Sequence, residues 1–166
     1  MDALAAAGVD ACLTGGFAVD AWTGRVAGHA DIDLLVPESA LGALERLAIA
    51  RDWPLRRLGE GACLDTSAGP CDLLVVRRGG DGLWRPTWRR GRVPWPPGQP
   101  FGARARLLGR EVAAASPAAI LLRLVCDTPD LPKARREAAL LARTLSAPAL
   151  VAVERWRVLH LREAPT

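Results

Sequence analysis

The apolar positions of this chain change period along its length, and each change marks an element. Residues 2–7 (DALAAA) fit a short helix, and Cys12 to Thr14 a short strand that ends at Gly15-Gly16. About two helical turns fit Phe17 to Thr23, stopped by Gly24. Asp31 to Val36 (DIDLLV) reads as a strand ended by Pro37. Beyond it, Leu41, Leu44, Leu47 and Ala48 share one face of an amphipathic helix, capped by Ser39 and reaching Asp52. Two strand-like stretches follow, Leu55 to Leu58 and Ala62 to Thr66. After Pro70, Cys71 to Arg77 (CDLLVVR) has the apolar, β-branched character of a buried strand. Gly79-Gly80-Asp81-Gly82 is a turn from which Leu83 to Trp88 returns as a hairpin strand. Four prolines and three glycines make 91–102 an extended loop. Ser116-Pro117 opens a helix through Cys126, and helical periodicity resumes over 131–145 and 148–161.

Mixed elements come first and helices last. That order predicts an α+β fold, a small mixed β-sheet with flanking helices followed by a short C-terminal helical part. The division falls near residue 112, giving a core over 1–112 and a helical extension over 113–166 packed on it. The 166 residues match one ordinary domain, and an apolar fraction of 50% is enough to bury a core. No apolar run approaches the ~20 residues of a membrane span, and the N-terminus lacks a signal peptide's basic head. A cytoplasmic protein with no membrane partner is the expectation. Cys12, Cys63, Cys71 and Cys126 form no C-x-x-C pair and read as reduced core thiols.

Charge alters this picture. The net charge is +4, but residues 77–110 hold nine arginines against Asp81 alone, a local +8. The remaining chain holds thirteen basic and seventeen acidic side chains, so an acidic body carries one basic segment. A uniformly basic nucleic-acid coat is excluded. Within the segment, Trp84, Trp88 and Trp95 alternate with Arg85, Arg89, Arg90 and Arg92. That chemistry suits stacking on a single-stranded nucleic acid, an aromatic wall for a small acceptor, or tryptophans that simply cover the sheet.

The acids point to chemistry. Asp31 and Asp33 stand two apart in a strand, so both project from one face. Asp is a poor strand former, and two on one face repel each other unless a cation intervenes. Asp72 opens the strand CDLLVV, and pairing with 31–36 would bring it about one strand spacing, ~4.8 Å, from them. Three carboxylates make a hard-oxygen site suited to Mg²⁺, completed by phosphate and water. A D-x-D alone fits a solvated strand edge equally. Upstream, Thr14-Gly15-Gly16 leaves a strand and enters a helix, where backbone N–H groups can meet a phosphate unobstructed. A tight turn accounts for the same glycines without a ligand.

At this point the residues resemble a known family. TGGFAVDAWTGRVAGHADIDLLV resembles the signature of nucleotidyltransferases of the DNA polymerase β superfamily, and within it the aminoglycoside and lincosamide group. Gly15, Gly16, Ala18, Val19, Asp20, Ala21, Gly24, Arg25, His29, Asp31 and Asp33 stand at matching places. The resemblance implies the polymerase β-like fold with a five-stranded mixed sheet. It also implies a nucleoside triphosphate, foremost ATP, two Mg²⁺ (or Mn²⁺) ions and a hydroxyl-bearing, antibiotic-like acceptor. Carried over, Asp31, Asp33 and Asp72 are the catalytic, metal-binding carboxylates. Thr14, Gly15, Gly16, Arg25, Arg123 and Lys133 are the nucleotide-binding set, with Arg135 or Arg136 as alternatives in the later basic cluster. The loop Val26-Ala27-Gly28 is shorter than the family's usual one and lacks its further Arg. Alternatives are a non-catalytic nucleotide- or nucleic-acid-binding member, or a toxin–antitoxin nucleotidyltransferase acting on protein or tRNA. Asp20 is expected to make a structural hydrogen bond. His29 either orients a carboxylate, touches phosphate, or has no such duty, and His160 is structural. The +8 segment follows the third carboxylate's strand, a position from which it either flanks the site or turns away from it.

Overall fold

The structure, a computed structural model, describes residues 1–58, 61–87 and 93–161. A central sheet runs in the order β1 (Cys12–Leu13), β2 (Ile32–Pro37), β5 (Gly69–Arg78), β4 (Gly61–Thr66) and β3 (Leu55–Leu58). β2 and β5 are parallel and the other pairs antiparallel, so the sheet is mixed, as the element order predicts. β6 (Trp84–Pro86) continues β4's side of β5, pairing Val76 with Pro86 where β4 has ended. The apolar strands β2 and β5 lie at the centre, where Leu34, Leu35, Val36, Leu73 and Val76 are buried.

Helix α1 (Asp2–Ala6) precedes the sheet, and α2 (Gly15–Thr23) follows β1 at once. Gly24 ends α2 in the left-handed conformation at φ 69°. β2 begins at Ile32, so Asp31 immediately precedes the strand rather than opening it. Ser39 does not cap the next helix. It lies inside a 3-10 turn, Glu38–Ala40, and α3 (Leu41–Ala50) starts from Ala40 with no side-chain cap. The expected apolar face of α3 is present, with Leu44, Leu47 and Ala48 buried.

A hairpin, β7 (Arg104–Leu107) and β8 (Arg110–Ala113), joins the edge of the sheet through a Leu13–Ala114 bridge. Ala115 N–H donates to Leu13 C=O at 2.8 Å. Leu108 and Gly109 both have positive φ, at 50° and 79°, the conformation of a tight two-residue turn. α4 (Pro117–Asp127) has the predicted cap, Ser116 Oγ accepting from Ala119 N–H at 3.1 Å. α5 (Pro132–Ala142) and α6 (Ala147–Leu161) follow; α4 and α5 contact α2, and α6 packs on α4.

Three indoles tie this assembly together. Trp22, Trp95 and Trp156 donate Nε1–H to the carbonyls of Ala115, Ala119 and Pro94, at 2.8, 3.2 and 2.7 Å. Trp95, a candidate for base stacking, is instead core, 2% exposed. Trp84 packs edge-on against Phe101, with ring centroids 4.9 Å apart. Trp88, Arg89, Arg90 and Arg92 lie outside the described residues. All four cysteines are free and buried, and burial pushes the thiols of Cys12 and Cys126 up to about 12. His160 stacks on Trp156 with ring centroids 4.4 Å apart. No helix among the described residues is long and apolar enough to cross a membrane.

Candidate active site

The parallel register of β2 and β5 sets Asp33 directly opposite Asp72, so both carboxylates leave the same face of the sheet. Asp31, two residues before Asp33, stands at the entrance of the strand and is half-buried like the other two. The expected cluster is therefore assembled by backbone pairing. Burial pushes the Asp33 carboxyl above its ordinary range. Arg123 opposes that rise, Asp31 and Asp72 add to it, and Lys133 opposes it again.

The turn from β1 into α2 fits closely against this cluster. Thr14 N–H donates to Asp33 C=O at 2.9 Å, and Thr14 is buried as the first residue outside α2. Gly15 has φ 59°, and a Cβ there would occupy the space of the Asp33 carboxylate. A Cβ on Gly16 would overlap the His29 ring. Both glycines are thus required by neighbours within the chain, and they set the N-terminus of α2 directly against Asp33 and His29.

His29 and Asp20 serve the frame. His29 Nε2–H donates to Asp20 Oδ2 at 3.0 Å, and its ring rests on Phe17 with centroids 4.6 Å apart. Asp20 Oδ2 also accepts from Ala27 N–H at 2.7 Å, anchoring the short 26–28 loop. The expectation of a structural Asp20 agrees with this arrangement.

The nucleotide-binding candidates come from four elements. Arg123 on α4 donates Nη1–H to Thr14 Oγ1 at 3.4 Å and lies 4.0 Å from Asp127. Lys133 on α5 lies 3.8 Å from Glu137. A cleft of about 620 Å³ brings Arg25, His29 and Asp31 together with Lys133, Arg136 and Glu137. Glu137 escaped the sequence reading. Burial raises its carboxyl, against Lys133 and His29, while Asp33 and Asp20 add to the rise. Its spacing of four from Lys133 was the one available signal. The described part of the Arg-rich segment does not line this cleft: Arg77 is bound to Glu38 and Arg85 to Asp81, each through two hydrogen bonds.

Among the described residues, no group of three Asp, Glu, His or Cys side chains stands poised to hold a metal ion by itself. The donor chemistry nevertheless fits Mg²⁺, which takes one or two carboxylates and completes its octahedron with phosphate and water. The mutual repulsion recorded at Asp33 is what a cation there would relieve.

The six-stranded mixed sheet with a Gly-Gly turn beside paired carboxylates, backed by C-terminal helices, has the fold of solved nucleotidyltransferases of the polymerase β-like type. Solved structures similar to it include antibiotic nucleotidyltransferases. The solution structure of the antibiotic-resistance factor ANT(2'')-Ia superposes with a TM-score of 0.71 at 22% identity, covering 98% of this chain and 90% of that one. ANT(2'')-Ia in complex with adenylyl-2''-tobramycin gives 0.71 at 20% identity, covering 98% and 92%. The lincosamide antibiotic adenylyltransferase LnuA, lincomycin-bound, gives 0.65 at 19% identity, covering 87% and 92%. No family profile matches the chain. No curated protein sequence matches it either.

Proposed function

We propose that this protein is a metal-dependent nucleotidyltransferase that moves a nucleoside monophosphate, foremost AMP from ATP, onto the hydroxyl of a small antibiotic-like acceptor. The observation that carries the reading is the Asp33–Asp72 register, with Asp31 alongside, set against the N-terminus of α2. The fold shared with the antibiotic adenylyltransferases supports it.

In this reading the triphosphate lies between the α2 N-terminus and the cations of α4 and α5. Backbone N–H groups after Thr14, together with Arg123, Lys133 and Arg25, hold its oxygens. Asp31, Asp33 and Asp72 would hold Mg²⁺, which when bound neutralises phosphate charge and polarises the α-phosphorus. Asp72, one strand farther from β1 than Asp33, takes the acceptor's hydroxyl proton. The acceptor oxygen then bonds to the α-phosphorus as the bond from that phosphorus to the bridging oxygen breaks. Pyrophosphate departs toward Arg25, Lys133 and Arg136.

The test is incubation with ATP labelled at the α-phosphate, with and without Mg²⁺ or Mn²⁺, using tobramycin, lincomycin and a wider set of hydroxylated acceptors. Label should pass to an acceptor with release of pyrophosphate, and Asp31→Asn with Asp33→Asn should abolish the transfer while leaving the fold intact. Failure of a well-folded sample to bind any nucleoside triphosphate contradicts the reading.

A further inference from the structure

Two cations reach the carboxylate site from neighbouring helices, and each has an acid four residues later on its own helix. On α4, Arg123 lies 4.0 Å from Asp127. On α5, Lys133 lies 3.8 Å from Glu137. In both pairs the acid is the more buried partner. The Asp127 and Glu137 side chains are 8% and 13% exposed, against 22% and 62% for Arg123 and Lys133. A spacing of four puts both members of a pair on one helix face.

Helix stability does not account for these placements. α4 ends at Asp127, where the carbonyl end of the helix dipole disfavours a negative charge. Lys133 is the second residue of α5, at the end where the dipole disfavours a positive one. The order also runs the weaker way, because an acid placed before its base supports a helix better than the reverse. Burial adds to the cost at Glu137. It raises the carboxyl against the pull of Lys133 and His29, and Asp33 and Asp20 raise it further.

Glu137 shares its cleft with Arg25, Lys133 and Arg136. Acting alone, its carboxylate would repel the phosphates that those cations attract. Its ammonium neighbour resolves the conflict. Lys133 has a flexible stem and three donors, so it can keep one on Glu137 and offer the others to phosphate oxygens. A lysine already held gives up less side-chain freedom on binding than one that rotates freely.

We propose that Glu137 is a positioning residue of the nucleotide site, holding the Lys133 ammonium over the cleft so that it meets the triphosphate already oriented. The Arg123–Asp127 pair on α4 has the same construction. This rests on the nucleotidyltransferase reading and adds to it an acid whose role is to place a cation.

The test is a double-mutant cycle read by calorimetric binding of a non-hydrolysable ATP analogue in the presence of Mg²⁺. Lys133→Met should weaken binding by about tenfold, the scale of one charge-assisted contact. Glu137→Gln keeps the shape and removes the charge. It should weaken binding by about fivefold, near the upper worth of a partly exposed ion pair. In a Lys133→Met background, Glu137→Gln should cause no further loss, whereas a merely structural role would cost the same in both backgrounds. The melting temperature of each variant checks that it folds. Tighter binding by Glu137→Gln overturns the proposal, because it marks the carboxylate as a repulsive charge and nothing more. Unaltered binding overturns it too, as does an equal loss with and without Lys133. A wild type that binds the analogue no better than Lys133→Met overturns this proposal and leaves the nucleotide site standing. A wild type that binds no analogue overturns both.

Discussion

Gly15 carries two constraints at one position: a left-handed backbone and the absence of any atom where the Asp33 carboxylate lies. Gly15→Ala should therefore lower the melting temperature, displace Asp33 and abolish transfer, whereas Gly24→Ala, at a helix end with open space around it, should cost stability alone. Asp33 gives a pH prediction. Its raised carboxyl binds a proton more tightly in the folded protein than in the unfolded chain. Stability then falls as pH rises from the ordinary carboxylate range through the raised folded value. Asp33→Asn removes that cost. In the absence of nucleotide and metal, the variant should melt a few degrees above wild type near neutral pH, with the difference vanishing below about pH 4. Thermal melts across that range check it, and a variant less stable than wild type at neutral pH contradicts it. At this scale Asp31, Asp33, Asp72 and the two glycines were legible because each breaks a local rule, acids in a strand or glycine at a helix start. Arg123 and Lys133 were legible only through resemblance. Glu137 obeys its local rule and acquires meaning only from helix packing.

Among the elements, caps show how far local signals reach. Ser116 precedes a proline and a long apolar helix, and its hydroxyl both accepts from Ala119 N–H and donates to Gln99 Oε1 at 2.8 Å. Ser116→Ala should cost about 1 kcal/mol, measured by denaturant unfolding. Ser39 carries the same sequence signal, yet the chain leaves Pro37 through a 3-10 turn and the helix begins two residues later. In RARLLGREV resemblance suggests a last strand, but its hairpin form is hidden locally because the strands are four residues long, rich in arginine, and joined through Leu108, a residue that seldom takes positive φ. Trp156 belongs to this scale too, since its indole fastens α6 to Pro94. Trp156→Phe keeps most of the packing but loses the donor, and a stability loss of about 1 kcal/mol is expected from the same unfolding measurement.

Across the whole molecule, the uneven charge seen in the sequence resolves into local pairs and one functional contrast. Described arginines of the 77–110 segment pair with Glu38 and Asp81 at the surface, while the cations near the carboxylates come from Arg25, α4 and α5. Charge totals along a sequence do not encode which helices return to a site, and for that reason the sequence leaves the place of the basic segment open. The central claim is that strand register, the α2 N-terminus and the C-terminal cations form a single site for a metal-bound nucleoside triphosphate. Calorimetric titration of ATP, with and without Mg²⁺, into wild type and Asp31→Asn/Asp33→Asn tests it most directly. The account predicts saturable binding at one site in wild type that strengthens with Mg²⁺, and loss of that Mg²⁺ enhancement in the variant. No binding by folded wild type, or binding equally enhanced by Mg²⁺ in both proteins, would contradict it.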